Sequence, residues 1–304
     1  MIETIIQNNM ERNKFAQIKI ALENTRASFD VYGAIVFGSR AKGSDTLHSD
    51  VDILIVAEGI NPKRHRRGNE IVQIKQGLPA LPMDILLLTP EETISNFMNH
   101  NPLFLDIAED GVVLLDRNDF LKNLIDKTKH YIRMRGIERL EDGWKFPSEY
   151  GVVTYLSRVS NKDFAMAMFK DGERDYLISK RLLEEGFYDK SVYHSQQSVE
   201  KCVKAVLIGF GFFQKTHFVG EILRKALYEQ NIPETWKRKL ISIAEIAEGI
   251  EPEVSLSRYP GIIGDCLWLP FEEYEEEDAS KALENAEKVL SSTREFLVFW
   301  FPEK

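Results

Sequence analysis

The sequence predicts a two-domain α+β chain: an α/β domain built on a short mixed sheet, followed by an all-α helical bundle. Three observations predict it. Four short apolar runs of β type all lie before residue 117. Polar and helix-compatible stretches separate them, as in a compact α/β unit. From residue 161 onward the apolar residues recur at helical spacing instead.

In order, residues 10–28 read as an amphipathic helix, and "VYGAIVF" (31–37), "VDILIVA" (51–57) and "MDILLL" (83–88) read as strands. "GVVLLD" (111–116) supplies a fourth. The first domain then spans 1–117, a connecting helix and linker 118–160, and the bundle 161–304. Strand signal is absent after "FLKNLIDKTKHYIRMRG", and 136–151 mixes Gly, Pro and charge without a period. In the bundle, Val192, Val199, Val203, Val206 and Phe210 stack on one helix face, while Gln197, Glu200, Lys201 and Lys204 fall elsewhere. Thr216 is placed to cap a helix through Leu227. Pro233 suits the first turn of another that ends before Gly249, and Asp278 opens a long last helix.

Composition narrows the function. The 304 residues are 43% hydrophobic and 29% charged, as in a globular protein. A net charge of −9 opposes wholesale wrapping of nucleic acid, which needs clustered cations. A local patch is still open: Lys63, Arg64, His65, Arg66 and Arg67 form either a solvated loop or a phosphate contact. Neither a leader-like start nor a membrane-spanning run is evident, so a cytoplasmic protein without a membrane partner is the expectation. Cys202 and Cys266 read as plain thiols.

The chemistry concentrates in "VFGSRAKGSDTLHSDVDILIV" (36–56). Asp50 and Asp52 are two apart at the opening of a strand, so their side chains point the same way. Neighbouring carboxylates repel, which calls for solvent or a shared cation. Asp84 opens the next strand and aims at the same point. Three hard oxygen donors suit magnesium. Gly38 and Ser39 end the first strand in a turn where backbone N–H groups and a hydroxyl meet phosphate oxygens, and Arg40 and Lys42 follow as candidate phosphate-neutralising cations.

A Gly-Ser turn, an Asp-x-Asp strand and a third strand acid together closely resemble the minimal nucleotidyltransferases of the DNA polymerase β-like superfamily. The likeness covers about residues 30–115 and runs through Gly38, Ser39, Asp50, Asp52 and Asp84. It implies two magnesium ions, with manganese as a substitute, held by Asp50, Asp52 and Asp84. The third acid then assists the attacking hydroxyl, and the Gly-Ser turn holds the departing pyrophosphate.

The second half, with "EEGFYDKSVYHSQQSVEKCVKA", "KTH" and "SRYP", is similar to the HEPN domain. That likeness puts Tyr193, Gln197, Lys204 and His217 forward as an acceptor or second ligand site. Many HEPN domains are ribonucleases with an arginine shortly before a histidine. None of His48, His65, His100, His130, His194 and His217 has an arginine five to seven places upstream.

The resulting expectation is a magnesium-dependent nucleotidyltransferase moving a nucleoside monophosphate, AMP from ATP, onto a hydroxyl of a small molecule, protein or RNA. The helical domain would help bind nucleotide or acceptor and pair two copies. The alternative is a nucleotide-binding regulator of toxin–antitoxin type without turnover.

Overall fold

A computed structural model describes residues 14–25, 27–43 and 50–303. Contacts divide the chain into two compact units that meet between Arg135 and Gly136.

In the first unit, α1 (14–23) precedes β1 (Asp30–Phe37), the short α2 (Gly38–Lys42), β2 (Val51–Glu58) and α3 (Gly68–Gly77). Next come β3 (Met83–Leu88), α4 (Pro90–Met98), α5 (Pro102–Asp110), β4 (Val112–Asp116) and α6 (Phe120–Arg135). The sheet order is β3-β2-β1-β4. β2 and β3 are parallel, joined by the α3 crossover, and the other pairs are antiparallel. The expected mixed sheet is therefore present. The first helix ends at residue 23 rather than 28, and residues 10–13 of the expected helix lie outside the described residues.

β2 explains why this sheet needs two covers. Its odd residues Val51, Ile53, Ile55 and Ala57 pack with Ile18 and Leu22 of α1 and Ile74 of α3. Leu54 and Val56 pack on the other face with Phe97, Phe104, Ile107 and Leu121 from α4, α5 and α6. A central strand buried on both faces reads as a continuous apolar run. Asp52 shares the parity of Leu54 and Val56, so it opens toward the face carrying α4 to α6.

The second unit contains the bundle. Its helices are α7 (Asn161–Glu184), α8 (Tyr188–Gly209), α9 (Gly220–Glu229), α10 (Glu234–Ile250), α11 (Glu253–Leu256), α12 (Pro270–Glu273) and α13 (Glu276–Trp300). α7 and α8 pack together along their length, and α13 packs on both. The predicted stripe of Val192, Val199, Val203, Val206 and Phe210 is buried.

Strands missed by the sequence appear here. β6 (Gly143–Lys145) pairs with both β5 (Glu138–Leu140) and β7 (Phe212–Gln214), and β8 (Gly261–Ile263) pairs with β9 (Cys266–Trp268). Three-residue strands are too short to show alternation. The stretch 118–160 accordingly divides. α6 packs Leu121, Leu124 and Ile125 on the first unit's sheet, whereas β5 and β6 join the second unit's small sheet.

Helix ends also differ from expectation. The Thr216 side chain accepts from the Phe218 N–H and does not cap α9. The buried Glu251 carboxylate does that work, accepting the Val219 and Gly220 N–H groups at 2.7 Å each. α10 continues through Gly249 to Ile250. Asp278 sits one turn inside α13 and completes a capping box with Glu275.

Candidate active site

Sheet register brings two of the three acids together. Asp52 of β2 stands directly beside Asp84 of β3 in the parallel ladder, and opposite Phe37, the last residue of β1. Neighbouring strands are about 4.8 Å apart, so two in-register side chains of equal parity share one patch of the same face. Asp50 lies just before β2, whose entry is fixed by the Val51 N–H donating to Pro82 O at 2.9 Å. Asp50 and Asp84 are exposed and Asp52 is half-buried, so water relieves their repulsion. Among the described residues, no three His, Cys, Asp or Glu side chains are grouped closely enough to hold a metal ion by themselves, so substrate phosphates would have to complete any metal shell here.

Gly38 is locked to Asp52. Its φ is +76°, and a Cβ there would lie 2.1 Å from Asp52 Oδ2. Only glycine combines that left-handed backbone with so close an approach. The turn is therefore shaped around the carboxylate. Ser39 is half-buried in the same turn and has interactions of its own.

The two cations that follow are engaged. Arg40 is buried, 6% exposed, and has partners. Lys42 Nζ is 3.5 Å from Asp110 Oδ2 at the end of α5. Phosphate contact by Lys42 would exchange one ion pair for another. Ser44–Ser49, between this turn and Asp50, lie outside the described residues.

The basic run 63–67 resolves into an anchor and a surface. Arg67, 1% exposed, donates to Glu92 Oε2 at 2.7 Å, Leu87 O at 2.8 Å and Asn61 O at 2.7 Å. Arg64 Nε joins the same carboxylate at 3.1 Å. This loop follows the far end of β2, and six residues of strand put about 20 Å between it and Asp52. It cannot neutralise phosphates held at the acids.

In the second unit, three of the four residues put forward for a ligand site gather around one that the sequence reading missed. Glu200, 5% exposed, accepts from Lys204 Nζ at 2.8 Å and lies 3.0 Å from His217 Nδ1. Gln197 donates to Gln196, which donates to Glu200. Tyr193 stands apart, under the Arg258 guanidinium at 5.2 Å, and Arg258 also lies over Tyr259. A buried carboxylate ringed by donors ties the Thr216–His217 loop to α8. The signal was in the sequence: Glu200 and Lys204 are four apart, the spacing of a helix ion pair.

A second polar cluster lies between α7 and α8. Asp175 Oδ1 is 2.9 Å from His194 Nδ1, and Lys201 Nζ lies 2.5 Å from Asp175 and 2.6 Å from Asp171. Burial raises the Asp175 carboxyl, but the His194 and Lys201 contacts outweigh it and hold it below its ordinary value. Burial pushes the nearby Cys202 thiol up to about 12, which leaves it unreactive.

The fold and these acids define a nucleotidyltransferase unit followed by a helical unit, and comparison with known proteins agrees. Residues 18–115 match the nucleotidyltransferase domain and residues 165–296 match the HEPN domain. The candidate toxin MJ1304 of Methanocaldococcus jannaschii is 42% identical over 137 residues, covering 45% of this chain and 90% of that one. The same organism's candidate protein adenylyltransferase MJ1305 is 27% identical over 106 residues, 34% of this chain and 71% of that one. Among solved structures, a nucleotidyltransferase-like protein from Exiguobacterium sibiricum aligns over 95% of this chain and 78% of its own, at 17% identity and a TM-score of 0.41. The chain belongs to the HEPN family, with a nucleotidyltransferase domain fused ahead of the HEPN domain.

Proposed function

We propose that the chain is a magnesium-dependent nucleotidyltransferase of toxin–antitoxin type that transfers AMP from ATP to an acceptor hydroxyl. One observation carries the reading: Asp52 and Asp84 sit side by side in register, with the Gly38 turn fitted against the Asp52 carboxylate. Asp50, Asp52 and Asp84 offer hard oxygens of the kind magnesium takes, with substrate phosphates completing its shell. Bound there, the metal would supply charge stabilisation for displacement at phosphorus.

The chain's own groups divide the remaining work. Asp84 orients the acceptor hydroxyl, whose oxygen bonds to the α-phosphorus as the bond to pyrophosphate breaks. The Gly38–Ser39 turn faces the departing pyrophosphate, and the hydroxyl proton passes to solvent. MJ1305, named a candidate protein adenylyltransferase, supports AMP as the group moved.

ATP labelled at the α-phosphate, incubated with the full chain, magnesium and added hydroxyl acceptors of each class (small molecule, protein and RNA), tests this. Labelled acceptor is expected, with at least a 100-fold loss in Asp52→Asn and in Asp84→Asn and none formed under chelation. Transfer that survives both substitutions would end the assignment. The internal use of Arg40 and Lys42 favours one second reading, a nucleotide-binding regulator. Saturable ATP binding without product would select it.

A further inference from the structure

We infer that the β8–β9 hairpin is an arm through which two copies of this chain pair, hairpin against hairpin about a two-fold axis. This goes beyond the transferase reading and does not depend on it. In sequence the arm is "YPGIIGDCLWLPF" (259–271), where Asp265 is the one charged residue in a chain that is 29% charged. Gly264, at φ +59°, opens the two-residue Gly264-Asp265 turn, with Ile263 paired to Cys266 and Ile262 to Leu267 across it. Ile262 and Leu267 stand directly opposite each other on one face, 77% and 72% exposed, and Ile263 on the other face is 66% exposed. Apolar side chains on both faces thus meet water.

Single exposed apolar residues are ordinary, so it is their density that sets this stretch apart. Of the twenty-two large apolar and aromatic side chains exposed among the described residues, six fall within sixteen residues: Leu256, Tyr259, Ile262, Ile263, Leu267 and Phe271. That is about five times the share its length predicts, a patch rather than a scatter. A two-stranded hairpin is also marginal in water unless something packs on it. Among the described residues no third strand joins β8 or β9, and the hairpin's inward ring contact is Trp268 against Tyr274 at 6.2 Å.

Two observations select a second copy as the cover. The arm is nearly chargeless, as permanent self-association favours, whereas passing contacts with foreign proteins are about as polar as ordinary surface. Each strand also has an open edge, and an identical hairpin turned by a two-fold axis supplies an antiparallel strand with matching Ile and Leu side chains. One patch then covers itself. The size agrees, since the six side chains bare roughly 700 Å², against about 800 Å² per partner in a standard interface.

Light scattering on the purified full chain, across a concentration series, tests the proposal. A dimer is expected, and the double variant Ile262→Lys, Leu267→Lys should raise its dissociation constant at least 100-fold. A control double at exposed residues elsewhere in the same unit, Leu177→Lys, Tyr228→Lys, should change it less than twofold, with circular dichroism melts confirming that both doubles are folded. Cys266 gives a second readout. Strands of three residues are only about 10 Å long, so pairing of two arms brings both exposed Cys266 thiols within reach of a flexible bis-maleimide. A covalent dimer is expected in the unsubstituted chain and none in Cys266→Ser, which should still dimerise by scattering. Cys202 is buried and does not compete.

A monomer at every concentration, a dimer untouched by the first double, equal loss in the control double, or a dimer that bis-maleimide fails to link through Cys266 would each overturn the proposal.

Discussion

Gly38 shows how far one residue can constrain a site. Adding a single methyl group in Gly38→Ala meets both the +76° φ and the Asp52 carboxylate 2.1 Å away. The expected outcome is a loss of about 1–3 kcal/mol in stability, read by thermal melting, together with loss of AMP transfer. Arg67 makes a second residue-scale case. Burial raises the Glu92 carboxyl, but hydrogen bonds from Arg67, the Thr89 N–H and Arg64 outweigh it and hold it at about 2, below its ordinary 4.5. Because the folded value is the lower one, this stabilisation is complete above about pH 4.5 and disappears as pH falls toward 2. Arg67→Ala should cost about 3 kcal/mol at neutral pH and flatten the acid limb of the stability curve between those values. An unchanged acid limb would show that the pair is not the source.

At the scale of elements, the ends of helices carry testable energy. α4 and α7 each begin with a complete capping box, Thr89 with Glu92 and Ser160 with Asp163. Ser160→Ala should destabilise its unit by about 1 kcal/mol. A much smaller value would mean that solvent satisfies the freed N–H equally well. α9 shows the limit of local reading. Its cap comes from Glu251, which is 31 residues from Gly220 and which no window around the helix start could reveal. The β-strands divide in the same way. β1 to β4 have five or more residues and show their pattern, while β5 to β9 have three each and do not.

For the whole molecule, the two units each have their own core, and the tryptophans mark only one of them. Trp144, Trp236, Trp268 and Trp300 all fall in the second unit. Tryptophan fluorescence should therefore follow that unit's unfolding, and far-UV circular dichroism both. Ser160→Ala should shift the fluorescence transition. Arg67→Ala should shift a dichroism transition and leave fluorescence in place, and a joint shift would show that the units unfold as one.

The amino-acid sequence by itself determined the four main strands, the bundle helices and the acids Asp50, Asp52 and Asp84, because apolar periodicity and Asp-x-Asp spacing are local properties. Tertiary structure alone decided that Asp52 and Asp84 share a register, that Gly38 fits Asp52, and that Glu251 lies buried beneath the distant N–H groups of Val219 and Gly220. Those features join residues far apart along the chain. Strand pairing and desolvation fix them, and neither is written in any short window of sequence.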